Sequence, residues 1–272
     1  MKAVAYQLET VASVAAATQR LGEGGWGSKP VAGGQSLGAM LNLRLAQPET
    51  LIDLDQIEAL RAVHAGQDAV TFGAMLTHAA FEDGKVPDPS RGLMPFVARR
   101  IAYRAVRNRG TLGGSLCHAD PAADWVSTMP LLGATLRIDG PSGSRVVPAT
   151  DFMVGAFETQ LADGELLAAI SVPVLSANAR WSYRKFCRKT GEFAQALACA
   201  LHDPGLGIER IVLGALDGAP QVFEGAGLLA SLGSGPTRAA WLAGTGIALD
   251  GVRMTLLAEM LRLVVEDMET AR

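Results

Sequence analysis

The chain has 272 residues, 49% of them hydrophobic but only 6% aromatic, with 31 glycines and a formal net charge of −3. That length and apolar content are enough for two or three packed units and exclude a disordered chain, while the near-neutral charge leaves no electrostatic footprint for nucleic acid or an anionic membrane. Three widely spaced cysteines exclude an all-cysteine iron–sulfur cluster within the chain, and four histidines show no metal-ligand spacing, so no metal is expected here.

The N-terminal stretch MKAVAYQLETVASVAAATQRL predicts a short strand at Ala3–Tyr6 and an amphipathic helix over 9–21, with Val11, Val14, Ala15 and Thr18 at helical intervals. Gln7, Glu9, Gln19 and Arg20 interrupt any apolar segment that would serve as a secretory signal. No window reaches the ~20 apolar residues needed to cross a bilayer. A cytoplasmic location is therefore expected, with Cys117, Cys187 and Cys199 reduced. The following GEGGWG places Gly22, Gly24 and Gly27 in the G-x-G-x-x-G pattern. That fingerprint follows a strand and opens a helix, whereas here a helix precedes and a strand follows, so a helix-terminating turn is the better reading.

From Lys29 the text KPVAGGQSLGAMLNLRLAQPETLIDL reads as a strand, the bare turn Gly33-Gly34-Gln35-Ser36, a helical run Leu37–Leu45 and a strand Thr50–Leu54. Two missing Cβ atoms where strand becomes helix let backbone N–H groups converge on an anion near the positive end of the helix dipole, which suits a diphosphate. Ala39-Met40 stand where a P-loop has Lys-Ser/Thr, so this is not a P-loop. A plain turn is the alternative. Further on, AVTFGAML (69–76) and ATLRID (134–139) read as strands on either side of a helix in GLMPFVARRIAY and the stretch RNRGTLGGSLCHADPAADW (107–125). DGPSGSRVVP reads as a hairpin or loop, AFETQLADGELLAAISVPV as two strands around Asp163-Gly164, and SANAR as a linker. WSYRKFCRKTGEFAQALACALHDP and GIERIVLGALDG then give antiparallel strands, followed by helical segments over 224–232 and from Val252 to the end.

Within RNRGTLGGSLCHADPAADW, Thr111, Gly113, Gly114 and Ser115 make a second bare patch flanked by hydroxyls, and Asp120 and Asp124 follow. Two such patches and an acid suit a flat ligand with a diphosphate in its middle, such as FAD: amides and hydroxyls serve the phosphates, a carboxylate a ribose or ribityl hydroxyl. The competing reading is a tight loop, with Asp120 starting a turn through Pro121 and Asp124 capping a helix.

Together, VAGGQSLGAMLNLRLAQPETLIDL, FGAMLTHAAFE and RNRGTLGGSLCHADPAADW resemble the flavoprotein, or medium, subunit of molybdenum hydroxylases, the family of bacterial carbon monoxide dehydrogenase and xanthine dehydrogenase. The C-terminal strands and helices resemble the small domain that ends these subunits, so the likeness covers essentially the whole chain. It implies an α+β fold: a two-subdomain FAD-binding domain of the vanillyl-alcohol-oxidase (PCMH) type, over 1–56 and 57–176, and a small α+β C-terminal domain with an antiparallel sheet over 177–272. By motif, FAD would lie against Val31, Ala32, Gly33, Gly34, Gln35, Ser36 and Leu37 and against Thr111, Leu112, Gly113, Gly114 and Ser115. Asp124 stands where the family holds FAD with an acid, and Ile101 where a side chain shields the flavin ring. Lys185 stands near a basic residue that reaches the flavin, with Arg184 and Arg188 as alternatives. A branched side chain at Gly114 is expected to displace the cofactor.

The resemblance also implies a role: an electron-transfer subunit with no catalytic residue of its own. It would take electrons from two-iron two-sulfur clusters in a small partner subunit, themselves fed by a molybdenum cofactor in a large one, and pass them to an external acceptor, in a dimer of heterotrimers as is common in the family. Substrate chemistry would belong to the large subunit. The alternative is a stand-alone FAD-dependent oxidoreductase, which needs an acid or base beside the flavin, with only His78 and His118 to offer. A structural subunit without flavin is a third reading, opposed by the intact glycine pairs. His78 is read as structural, His118 as lining the loop near FAD. The tail RMTLLAEMLRLVVEDMETAR departs from the Arg-rich final helix of the family, and its stripe Leu256, Leu257, Met260, Leu261, Val264 and Val265 is read as core, with a partner-facing role as the alternative.

Overall fold

A computed structural model of the chain describes residues 2–270. Its first unit is a three-stranded parallel sheet in which β3 (Thr50–Asp53) lies between β1 (Gln7–Thr10) and β2 (Ser28–Val31). Parallel neighbours need crossover connections, supplied by α1 (Val14–Gly24) between β1 and β2 and by α2 (Leu37–Asn42) between β2 and β3. The first strand is Gln7–Thr10 and not Ala3–Tyr6, because it pairs in register with Thr50–Asp53. The helix starts later than its apolar spacing suggested: the Ser13 side chain accepts a hydrogen bond from the Ala16 N–H and fixes the N-cap. GEGGWG ends that helix and makes a single 3-10 turn at Gly25–Gly27, a terminating turn as read.

The second unit is an antiparallel sheet in the order β4-β5-β10-β6-β7, formed by Val63–Ala65, Ala69–Gly73, Leu166–Pro173, Thr135–Gly140 and Gly143–Pro148 respectively. DGPSGSRVVP is thus the hairpin between β6 and β7. The two strands expected around Asp163-Gly164 exist but do not pair with each other: β9 (Glu158–Thr159) pairs with β8 (Met153–Gly155), while the apolar β10 takes the central place between β5 and β6. Between β5 and β6 come α3 (His78–Glu82), α4 (Leu93–Ala98), α5 (Arg104–Arg107), α6 (Leu112–His118) and α7 (Asp124–Leu132), and α8 (Ala149–Phe152) precedes β8.

The third unit is a meander of β11 (Arg180–Phe186), β12 (Ala196–Asp203), β13 (Ile208–Gly214) and β14 (Gln221–Glu224). The helix expected over 224–232 shrinks to α9 (Leu228–Ser231), since Gln221–Glu224 pairs with β13 and Gly227 has φ +77°. The stretch after it forms α10 (Gly235–Gly244), capped by Ser234, and then α11 (Gly251–Thr270).

Alternation along β12 tells how this sheet is buried. Leu197, Cys199 and Leu201 join the large core of the second unit, while Ala196, Ala198 and Ala200 face the other way, into a cluster with Leu257, Leu261, Val264 and Val265 of α11. The apolar stripe of the tail is therefore core. On the opposite face lies α7, every residue of which is buried. Among the described residues, no helix is long and apolar enough to cross a membrane.

Candidate cofactor site

The first glycine turn and the second bare patch meet. A Cβ built on Gly33 would lie 2.0 Å from the Arg109 carbonyl oxygen and 2.9 Å from the Gly110 Cα, so the two backbones are in contact only because Gly33 has no side chain. Gln35 Nε2 and Arg109 Nε both donate to the Gly33 carbonyl oxygen, at 3.0 and 3.4 Å. From Gly33 to Leu37, the backbone N–H groups have no acceptor among the described residues. Val31, at the end of β2, gives its carbonyl to the Leu54 N–H, and Gly34 has φ +70°. A run of unpaired amides beside a bare backbone is a fitting cradle for a diphosphate.

The second patch, read as bare backbone or as a tight loop, is the start of a helix. Thr111 is the N-cap of α6, buried, its hydroxyl accepting from the Gly114 N–H at 3.0 Å. Its glycines serve different purposes. Gly110 lies on His78 and Gly113 on Ala74, where a Cβ would come within 2.8 and 2.5 Å of a neighbour, so both bare positions let 110–113 run flush against 74–78. Three backbone bonds close that seam: His78 N–H to Gly110, Leu112 N–H to Leu76 and Gly113 N–H to Ala74. Leu112 is core. Gly114 is the glycine that faces the first turn, with the Ala32 Cβ at 3.6 Å from its own hypothetical one, and Ser115 beside it is half-buried.

Asp124, Lys185 and Ile101 come together elsewhere. Asp124 opens α7 and is 5% exposed, at the end of the helix where a negative charge is favoured. Its carboxylate accepts from Lys185 Nζ at 2.7 and 3.0 Å and from the Tyr183 hydroxyl at 2.6 Å. Burial, then the Asp124 charge, hold the Tyr183 phenol well above its ordinary range, so it stays a donor. Lys185 also donates to the Arg100 carbonyl. The next residue is Ile101, whose carbonyl is held by Arg107; that guanidinium is itself paired with Glu82. Of the three basic residues around YRKFCRK, Lys185 is the one that pairs with Asp124, while Arg184 pairs with Asp267 of α11 and Arg188 is exposed.

Several of these residues escaped the sequence. Arg107 and Arg109 stand inside the glycine motif and were passed over for the glycines. Tyr183 was visible only as one residue of a β-rich stretch, and Gly191, which packs its bare backbone on Ala102, gave no signal.

His78 is 5% exposed and its Nδ1 accepts from Trp125 Nε1 at 3.1 Å. Burial, reinforced by the Arg107 charge, pushes its pKa from 6.5 down to about 4. It is neutral and structural, as read. The unfolded chain takes up a proton below pH 6.5 that the folded one refuses until about pH 4. Stability should therefore fall as pH drops through that window, by about 3 kcal/mol from this residue. Urea midpoints between pH 7 and 4 should fall less steeply in His78→Gln; parallel curves would contradict this. His118 lies half-buried at the end of α6, its ring centroid 5.3 Å from that of Phe157. Burial pushes the Cys117 thiol up to about 12 and the Cys199 thiol higher still, so neither is a nucleophile. No cluster of three or more histidine, cysteine or acidic side chains that could hold a metal occurs among the described residues.

The chain is 38% identical over 189 residues to the carbon monoxide dehydrogenase medium chain of Hydrogenophaga pseudoflava, covering 70% of this chain and 66% of the relative. It is 37% identical over 169 residues to the nicotine 6-hydroxylase medium subunit of Paenarthrobacter nicotinovorans, covering 62% and 59%. The aligned part thus spans somewhat less than two thirds of these relatives. The fold matches a chain of quinoline 2-oxidoreductase from Pseudomonas putida 86 with a TM-score of 0.86 at 29% identity, covering 100% of this chain and 99% of that one. Residues 4–175 match the family described as the FAD binding domain in molybdopterin dehydrogenase, and the chain belongs to that family.

Proposed function

We propose that the chain is the FAD-carrying electron-transfer subunit of a molybdenum hydroxylase, taking electrons from iron–sulfur clusters in a small partner subunit and delivering them to an external acceptor. A large partner would carry the molybdenum cofactor and turn over the substrate, in a cytoplasmic dimer of heterotrimers. The observation that carries this reading is the contact at Gly33 between two glycine segments, beside unpaired amides from Gly33 to Leu37. Bound FAD supplies a ring that stores one or two electrons. The chain's own part is to bind and orient it: the amides of Gly33–Leu37 hold the diphosphate, Gly114 keeps the second segment bare beside Ala32, Ser36 and Ser115 line the rim, and Thr111 caps the helix that presents Gly114 and Ser115.

Lys185 and Asp124 act in this reading as a fixed charge pair that sets the Arg100–Ile101 backbone and places Ile101 against the ring. His78, one of the two acid–base candidates of a self-contained flavoenzyme, is buried, bonded to Trp125 and neutral, which leaves that reading only His118. The protein purified from its native host should show flavin absorption overlaid by iron–sulfur bands, with one larger and one smaller companion chain on a gel. A lone yellow chain reduced directly by a small molecule would refute the subunit reading.

A further inference from the structure

We infer that Arg109 is the cation of the cofactor cradle and that its guanidinium neutralises the FAD diphosphate; the inference rests on reading the Gly33–Leu37 amides as the diphosphate site. Three observations lead to it. The Arg109 backbone is pressed against Gly33, and its Nε reaches the Gly33 carbonyl, so the side chain runs along the first glycine turn. Its neighbours on the same segment are committed elsewhere: Arg104 is bound by Glu82 and Asp83, and Arg107 by Glu82. Arg109 is exposed and forms no ion pair among the described residues.

The chemistry of the ligand asks for such a group. Amide dipoles contribute partial charges, while a diphosphate brings full negative charge that a guanidinium fork meets with paired hydrogen bonds. Arg44, the arginine that follows the first turn, gives its Nε to the Lys2 carbonyl. Arg109 is left as the cation fixed to this turn by a hydrogen bond. Its place beside Gly33 also gives the close backbone contact a purpose, since it brings a charged side chain from the second segment onto the amides of the first.

The test titrates the full chain, depleted of flavin, with FAD and separately with riboflavin, which has the ring and ribityl chain but no phosphate. Flavin fluorescence is followed at low and high salt for the parent, Arg109→Gln and Arg109→Lys. Arg109→Gln should weaken FAD binding about tenfold, as expected for one charge-assisted contact at a solvent-facing site. It should leave riboflavin binding unchanged and flatten the salt dependence for FAD, and lysine should recover part of the loss by restoring charge without the fork. Parent-like FAD affinity and salt dependence in Arg109→Gln would overturn the inference and leave the amide site standing. Equal weakening of both flavins would also overturn it, as a disturbance of the fold. If the parent itself binds riboflavin as tightly as FAD, the amide site falls first and Arg109 with it.

Discussion

Gly33→Ala should leave a folded protein that has lost its FAD. The obstruction lies at the Cβ itself, 2.0 Å from the Arg109 carbonyl oxygen and 2.6 Å from its carbon, so the smallest side chain is enough and no rotamer avoids it. Relief requires the two glycine segments to part, which moves the amides of Gly33–Leu37 away from whatever Gly114 and Ser115 present. Overpacking of this kind costs about 1–3 kcal/mol, and at the upper end FAD would bind about a hundredfold more weakly. The 32–36 turn lies outside the large core, so near-UV circular dichroism should stay close to that of the parent. Gly114→Ala is the milder partner experiment, because its Cβ would meet the Thr111 hydroxyl at 2.7 Å, a cap that can give, and Ala32 at a comfortable 3.6 Å. Parent-like flavin content in purified Gly33→Ala would show that the contact is not part of the cofactor site.

Lys185→Met should be the most destabilising single change in the site. It leaves the Asp124 carboxylate, with a side chain 6% exposed, facing the Tyr183 hydroxyl alone. Breaking a buried pair by removing one partner costs roughly 3–5 kcal/mol, and in a chain of this size that corresponds to a drop in Tm of roughly 10 °C. Asp124→Asn combined with Lys185→Met removes both charges while an amide oxygen still accepts from Tyr183, and it should recover most of the loss. A thermal double-mutant cycle over these variants reads the coupling directly. If the single and the double variants melt alike, the pair is not coupled.

The glycine motifs could be read from sequence because their chemistry is local: a missing Cβ at the end of a strand says that backbone must come close to something. What it comes close to is not local. Gly33 meets a residue 76 positions away, Asp124 a lysine 61 positions away, and neither spacing leaves a mark on the text. The second motif reads as a bare patch because two adjacent glycines carry no side chains, and it is the cap from Thr111 and the seam along 74–78 that make it helical. The same tertiary override moved the first strand to Gln7–Thr10 and drew Glu224, the first residue of the expected helix over 224–232, into the edge strand Gln221–Glu224. Ile101 shows the limit from the other side: its motif position suggested a contact, but the groups that fix its backbone, Arg107 and Lys185, come from another helix and another sheet.

Helix α7 has a consequence for how such a chain can be divided. A cut after Leu175 looks safe in the text, in a polar linker at the end of the family match, yet α7 belongs to the second unit and lies with β12 and β13 of the third in a single core. Leu197, Cys199, Leu201 and Val212 are as much its surroundings as Phe72 or Ile138. Asp124 at its first turn is neutralised by a lysine from beyond the cut. The cofactor-binding half is thus a module in inheritance and not in mechanics: severed from its last hundred or so residues, it would present an apolar helix and an unpaired acid to water, and a shortened or rearranged descendant would have to replace that sheet with something of the same shape.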